Sequence, residues 1–158
     1  MARELEVVSA QRRQLLRMGA AGTLAIMLRP LHANEPPTPL LADLVKGFAA
    51  GAVTREGRVK LDIAPLVENG NSVPIVISVD SPQTDASHVT AITVFNEKNP
   101  QHDVAQFTLT PLAGRARIAT RIRLATSQQL VAVALLNDGS CWTHYVNVVV
   151  TVASCTEE

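Results

Sequence analysis

Aromatic side chains are almost missing from this sequence: Phe, Tyr and Trp make up 3% of its 158 residues. No core can therefore be assembled around stacked rings. Cysteine is as scarce, with only Cys141 and Cys155, which excludes a small scaffold stapled by many disulfides. No apolar run approaches the roughly 20 residues that cross a bilayer as a helix. Net formal charge is zero, so nothing marks the whole chain as a polyanion binder. No glycine-rich phosphate loop is present. His32, His88, His102 and His144 share no short ligand spacing, so no metal site and no cofactor are expected. Asp80, Asp85 and Asp103 are scattered without a companion nucleophile and base, which speaks against triad-type catalysis.

What the chain does have is aliphatic. Hydrophobic residues reach 47% against 18% charged, enough for one globular domain plus an appendage, with a core of Val, Ile, Leu and Ala. The charge average hides two unlike parts. Residues 1–33 hold five of the 14 basic side chains, all Arg, and two of the 14 acidic ones. The remainder is thus mildly acidic, which argues against nucleic acid as its partner.

The N-terminal part has the layout of an export signal. Arg12-Arg13-Gln14-Leu15-Leu16-Arg17 precedes the apolar run Met18–Leu28, and small residues close the segment at Ala33. A basic region, a short apolar region and a small residue before a polar stretch define a signal peptide. The paired arginines followed by leucines point to the twin-arginine type. The expected organisation is a signal over 1–33, a linker over 34–39, one domain over 40–152 and an arm over 153–158. The mature chain is expected to lack a membrane span and to reside in the periplasm.

After the linker, Thr38-Pro39 reads as a helix start, with the Thr hydroxyl as cap and Pro at the first helical position. Leu40, Leu41, Leu44, Val45 and Phe48 recur at helical spacing, and Gly51 is the expected stop. Beyond it the period becomes two. Strands are expected over 58–63, 72–80, 89–96, 103–110, 115–124, 130–136 and 145–152, with a turn at Glu68-Asn69-Gly70-Asn71. Pro74 marks its strand as an edge strand or falls at a strand start. In the fifth strand, Ala116, Ile118, Thr120, Ile122 and Leu124 share one face, and Arg115, Arg117, Arg121 and Arg123 the other. Such a row is either the solvated side of an outer strand or a contact for an acidic partner. About seven strands at short, regular spacing predict an all-β, Ig-like antiparallel β-sandwich with one short N-terminal helix and a C-terminal cysteine-bearing arm.

The two cysteines bracket the last strand. Cys141 follows the turn Asn137-Asp138-Gly139-Ser140, and Cys155 lies beyond Val152. A continuous strand would separate them by about 45 Å, whereas a disulfide needs Cα atoms within about 7 Å. Cys155 is therefore read as a free or intermolecularly linked thiol, and Cys141 as a packed residue.

From Leu44 to Val152 the sequence resembles the SoxY family, the sulfur-carrier subunit of the periplasmic sulfur-oxidation system. The resemblance rests on Phe48–Arg58, Leu61-Asp-Ile63, Glu68-Asn-Gly-Asn71, Val73-Pro74 and Val79-Asp-Ser-Pro82. It continues through Phe95-Asn-Glu-Lys-Asn-Pro100, Arg121-Ile-Arg-Leu-Ala125 and Asn137-Asp-Gly-Ser140. It implies a carrier rather than an enzyme, with sulfur intermediates of thiosulfate oxidation held covalently on Cys155. It further implies a SoxZ-like partner in a heterodimer, and presentation of the arm to a thiosulfate-conjugating cytochrome, a sulfate-releasing hydrolase and a sulfane dehydrogenase. The arm departs from the family. Where the family ends Gly-Gly-Cys-Gly-Gly, this chain has Ala153-Ser154-Cys155-Thr156-Glu157, then Glu158. Bulkier residues restrict the backbone, and anions beside a thiol disfavour the thiolate. Two other readings follow from that departure: an assembly subunit that no longer carries, or a carrier for a different sulfur donor.

Overall fold

The computed structural model describes residues 36–154. The proposed signal segment and Cys155 lie outside the described residues. Helix α1 spans Pro39–Ala49, and nine strands follow: β1 Thr54–Glu56, β2 Val59–Asp62, β3 Leu66–Asn69, β4 Val73–Val79, β5 Val89–Asn96, β6 Asp103–Thr108, β7 Arg117–Ile122, β8 Gln128–Leu136 and β9 Cys141–Val152. A single 3-10 turn, Pro111–Ala113, lies between β6 and β7.

The larger sheet runs β1-β9-β8-β5-β6, with β3 also paired to β9, and the smaller runs β2-β4-β7. The two sheets face one another as an Ig-like sandwich. Alternation decides which side chains fill the space between them. Val73, Ile75, Ile77 and Val79 of β4 meet Val89, Ile92 and Val94 of β5 and Leu130, Ala132 and Ala134 of β8 in one core. The face predicted for the fifth strand is the inner one: Ala116, Ile122 and Leu124 are buried and Ile118 packs against that core.

Period two marks β2, β4, β7 and the first part of β9, and β5 and β8 are buried almost throughout, but two short strands arise differently. β1 lies exposed throughout and β3 shows a single buried residue, so neither carries a readable pattern. Both pair parallel to β9 along its outer edge, Thr54–Glu56 beside Cys141–Thr143 and Leu66–Asn69 beside Val149–Val152. Part of the expected turn at Glu68–Asn71 is therefore strand. Pro74 sits at a strand start: β4 is the middle strand of its sheet, yet β2 pairs only with Val76–Val79. The missing N–H at Pro74 thus falls where no β2 partner waits.

Helix α1 covers part of the outer face of the larger sheet. Leu41, Val45 and Ala49 are buried against Phe95, Val131, Val133, Cys141 and Tyr145, and Phe48 meets Phe95 edge-to-face at 6.2 Å. The cap differs from expectation. The Thr38 hydroxyl makes no capping bond, and the Thr38 N–H instead donates to Gln129 Oε1 at 3.1 Å. A tertiary tie to β8 thus orients the helix start. The stop also comes earlier than Gly51, because Ala50 adopts the left-handed conformation at φ 48°. Among the described residues, no helix is long and apolar enough to cross a membrane.

Candidate functional site at the root of the C-terminal arm

Strand β9 carries the chain towards Cys155, and its far end is held in place. The Gly70 N–H donates to the Val152 carbonyl at 2.8 Å, the Leu124 N–H donates to the Gly70 carbonyl at 2.9 Å, and the Ser154 N–H donates to the Leu124 carbonyl at 3.2 Å. Ser154 is only 7% exposed. Gly70 is the pivot of this knot for a steric reason. A Cβ there would collide with the Leu124 carbonyl oxygen and lie 3.0 Å from the Ser154 nitrogen. The turn residue singled out by sequence is thus a spacer that lets three backbone segments meet.

The segment presenting Leu124 is itself clamped. Asn99 Nδ2 donates to the Arg123 carbonyl at 2.9 Å, while Asn99 Oδ1 accepts from the Ala125 N–H at 3.0 Å and from Gln128 Nε2 at 2.7 Å. The Lys98 N–H donates to Gln128 Oε1 at 2.8 Å, and Glu97 Oε2 accepts from the Gln129 N–H at 3.1 Å. The sequence reads Asn96, Glu97 and Lys98 as turn residues; Glu97 and Lys98 are, whereas Asn96 is the last residue of β5. The turn locks the β7–β8 connection on which the arm root rests. Three of the stretches that carried the family resemblance, around Gly70, Asn99 and Leu124, converge here.

The arginine row divides. Arg115, Arg117, Arg121 and Arg123 are all exposed, and β7 is the edge of its sheet. Six residue steps put Arg117 about 20 Å from Arg123 along the strand. Only Arg121 and Arg123 stand at the arm root. Arg123 directly precedes Leu124, and Arg121 Nη1 donates to Ser72 Oγ at 3.3 Å, two positions from Gly70. Among the described residues the sole salt bridge joins Lys46 to Asp43, so neither arginine has a carboxylate partner there. The two line a groove of about 500 Å³ between β6 and β7, with Asn96, Asn99, Gln101 and Asp103.

At the opposite end of β9 the chemistry is closed. Cys141 is a free thiol, fully buried in the layer beneath α1, and burial pushes its pKa up. It is the packed residue that the sequence suggested, and the uninterrupted twelve-residue strand carries the chain away from it. Cys141 is expected to resist alkylation in native buffer and to react once denaturant is added, as mass spectrometry of trapped peptides would show. Rapid native labelling of Cys141 would contradict this packing. Trp142 beside it lies under two cations, with the Arg55 and Arg58 guanidinium carbons 6.0 and 5.0 Å from its ring centre. Only the parallel pairing of β1 brings Arg55 to that ring, so no local sequence signal announces the contact.

His144 supplies a pH handle on the fold. Its Nδ1 accepts from the Leu61 N–H at 3.1 Å, which places the ring proton on Nε2. Burial lowers its pKa, Lys60 adds to that and Glu56 opposes it. Protonation also destroys the acceptor. In the unfolded chain His144 takes a proton near pH 6.5, earlier than in the folded chain. The stabilisation is therefore complete above about pH 6.5 and lost as pH falls towards the folded value. Thermal melts should show the midpoint dropping from about pH 7.5 to about pH 5.5, and His144→Gln should flatten that slope. An equal slope in both proteins would remove His144 as its cause.

Residues 45–155 match the protein family described as SoxY, sulfur oxidation protein SoxY. No curated protein sequence matches the chain. Solved structures with a similar fold include the superoxide reductase (neelaredoxin) of Ignicoccus hospitalis, at TM-score 0.54 and 15% identity over 60% of this chain and 80% of that one. The superoxide reductase of Nanoarchaeum equitans aligns at TM-score 0.52 and 13% identity over 61% and 99%. A hypothetical protein of Pyrococcus horikoshii gives 0.51 and 15% over 60% and 95%. At such identities the likeness is one of fold alone. Among the described residues, no group of three or more His, Cys, Asp and Glu side chains could hold a metal ion.

Proposed function

Since the chain belongs to the SoxY family of sulfur-oxidation proteins, we propose that it is a periplasmic sulfur carrier, paired with a SoxZ-like subunit, with Cys155 as its point of covalent attachment. The observation that carries this reading is the position of that cysteine. The family match runs through residue 155, and Cys155 follows directly on Ser154, the last described residue, which is tied to the sandwich through the Leu124 carbonyl. The twin-arginine-like segment at Arg12-Arg13 supports export.

In the loading step, the Cys155 thiolate and the outer sulfur of thiosulfate form an S–S bond, and the thiosulfate-conjugating cytochrome accepts the two electrons released. Water then displaces sulfate in the hydrolase, leaving a persulfide on Cys155 for the sulfane dehydrogenase. The carrier contributes a thiolate and a foothold, and the bond-making machinery belongs to its partners. Intact-mass measurement tests this directly. Protein incubated with thiosulfate and an active conjugating cytochrome should gain one thiosulfate on Cys155, and a wild-type protein that stays unmodified would end the carrier reading.

The arm composition favours a second reading. Thr156, Glu157 and Glu158 replace flexible, uncharged glycine, which suits a scaffold subunit that keeps the SoxZ-type interface without carrying, or a carrier for another donor. Restoring glycines at 153, 154, 156 and 157 separates these cases. A large gain in loading would mark the native arm as impaired, unchanged loading would mark it as competent, and a panel of sulfur donors would identify a different preference.

A further inference from the structure

We infer that Arg121 and Arg123 form an anion-recruiting site at the foot of the arm, which draws the negatively charged end of a sulfur compound towards Cys155. The inference rests on the carrier reading for the identity of the ligand, a sulfur oxyanion, and on geometry for the place. Arg123 is joined to Leu124, whose carbonyl accepts the Ser154 N–H at 3.2 Å. Residue 155 therefore begins one peptide unit, about 3.8 Å between Cα atoms, from that anchor. Arg121 is turned to the same place by its bond to Ser72 Oγ at 3.3 Å, beside the Gly70 knot.

Charge sets the direction of the effect. Neither guanidinium is neutralised by an ion pair among the described residues, and Asp103 is the single carboxylate lining their groove. In sequence, Glu157 and Glu158 follow Cys155 by two and three positions. Alone, these would repel an anion and hold the thiol protonated. Two cations at the root oppose both effects. Guanidinium groups also present a planar set of donors matched to oxyanions. A carrier whose arm has acidic residues in place of glycine thereby keeps an electropositive approach from the domain side.

The test compares two thiol reagents on the purified protein: a dianionic aromatic disulfide bearing carboxylates, and a neutral dipyridyl disulfide. The readout is the ratio of their second-order rate constants at Cys155, traced by peptide mass. Two nearby charges acting through solvent change such a ratio on the order of fivefold. Arg121→Gln with Arg123→Gln should lower the anionic-to-neutral ratio by about that factor, and molar salt should erase the difference by screening. Arg115→Gln with Arg117→Gln, the same charge removed from the other end of the row, should leave the ratio unchanged.

An unchanged ratio in the 121/123 variant overturns the inference. So does an equal fall in the 115/117 variant, which would report net charge rather than place, and so does a Cys155 that neither reagent reaches. Loading by the conjugating cytochrome distinguishes this failure from failure of the carrier role. Normal loading with an unchanged ratio sinks the anion site alone, whereas a shifted ratio without loading sinks the carrier role alone.

Discussion

Alanine at Gly70 is expected to unseat the arm root and lower the stability of the whole domain. The added Cβ would meet the Leu124 carbonyl oxygen and the Ser154 nitrogen, both backbone atoms with no rotamer by which to step aside. Relief requires the Asn69–Asn71 segment to move away, which stretches the bonds from Gly70 to Val152 and from Leu124 to Gly70, or Leu124 and Ser154 to shift, which strains the bond between them. Overpacking of this kind costs about 1–3 kcal/mol, and each lost backbone bond adds roughly 1 kcal/mol. A total of about 3 kcal/mol corresponds to a melting point lower by about 10 °C in a domain of this size. Calorimetry gives the stability, and hydrogen exchange at the Ser154 and Leu124 amides shows whether the loss sits at the root. Gly47→Ala is the control, since a Cβ there meets nothing within 4 Å and a helical Gly to Ala change stabilises. A Gly70→Ala protein that melts with the wild type and protects those amides equally would disprove the knot.

On the proposed carrier role, Cys155→Ser should abolish sulfur loading altogether while leaving the fold untouched. A serine hydroxyl matches the thiol closely in size but is not ionised at neutral pH and forms no S–S bond, so no residual slow reaction is expected. Cys141 cannot substitute for it, because that thiol is 0% exposed under α1 and burial disfavours its thiolate. The variant should melt at the wild-type temperature and keep any binding to the proposed SoxZ-like partner in gel filtration, yet show no mass gain with thiosulfate and the conjugating cytochrome. Persistent loading of the serine variant, with the adduct mapped to another residue, would move the attachment site away from the tail.

The strands with long alternating patterns were readable because each buries one whole face. β4 and β7 are the clearest cases, with Val73, Ile75 and Ile77 inward and Arg117 and Arg121 outward. β1 and β3 were not readable, since they bury almost nothing and owe their existence to pairing with a strand some eighty residues later. The helix was found from its apolar spacing, whereas its cap was misread because Gln129, distant in sequence, takes the Thr38 amide. The candidate site was legible only in pieces. Cys155 and the arginines could be named from sequence. That two of the four arginines stand at the arm root, and that Gly70 and Asn99 build that root, depends on contacts between residues 24 to 84 positions apart.

The placing of β9 also decides how the domain bears load. It is bonded to β8 on one side and to β1 and β3 on the other, with those bonds lying across the strand. A tug on the tail along the strand direction therefore strains many bonds side by side instead of peeling them one after another. A partner that drew the tail outward would be pulling against a shear joint, and the sandwich would yield last at the strand that leads to Cys155.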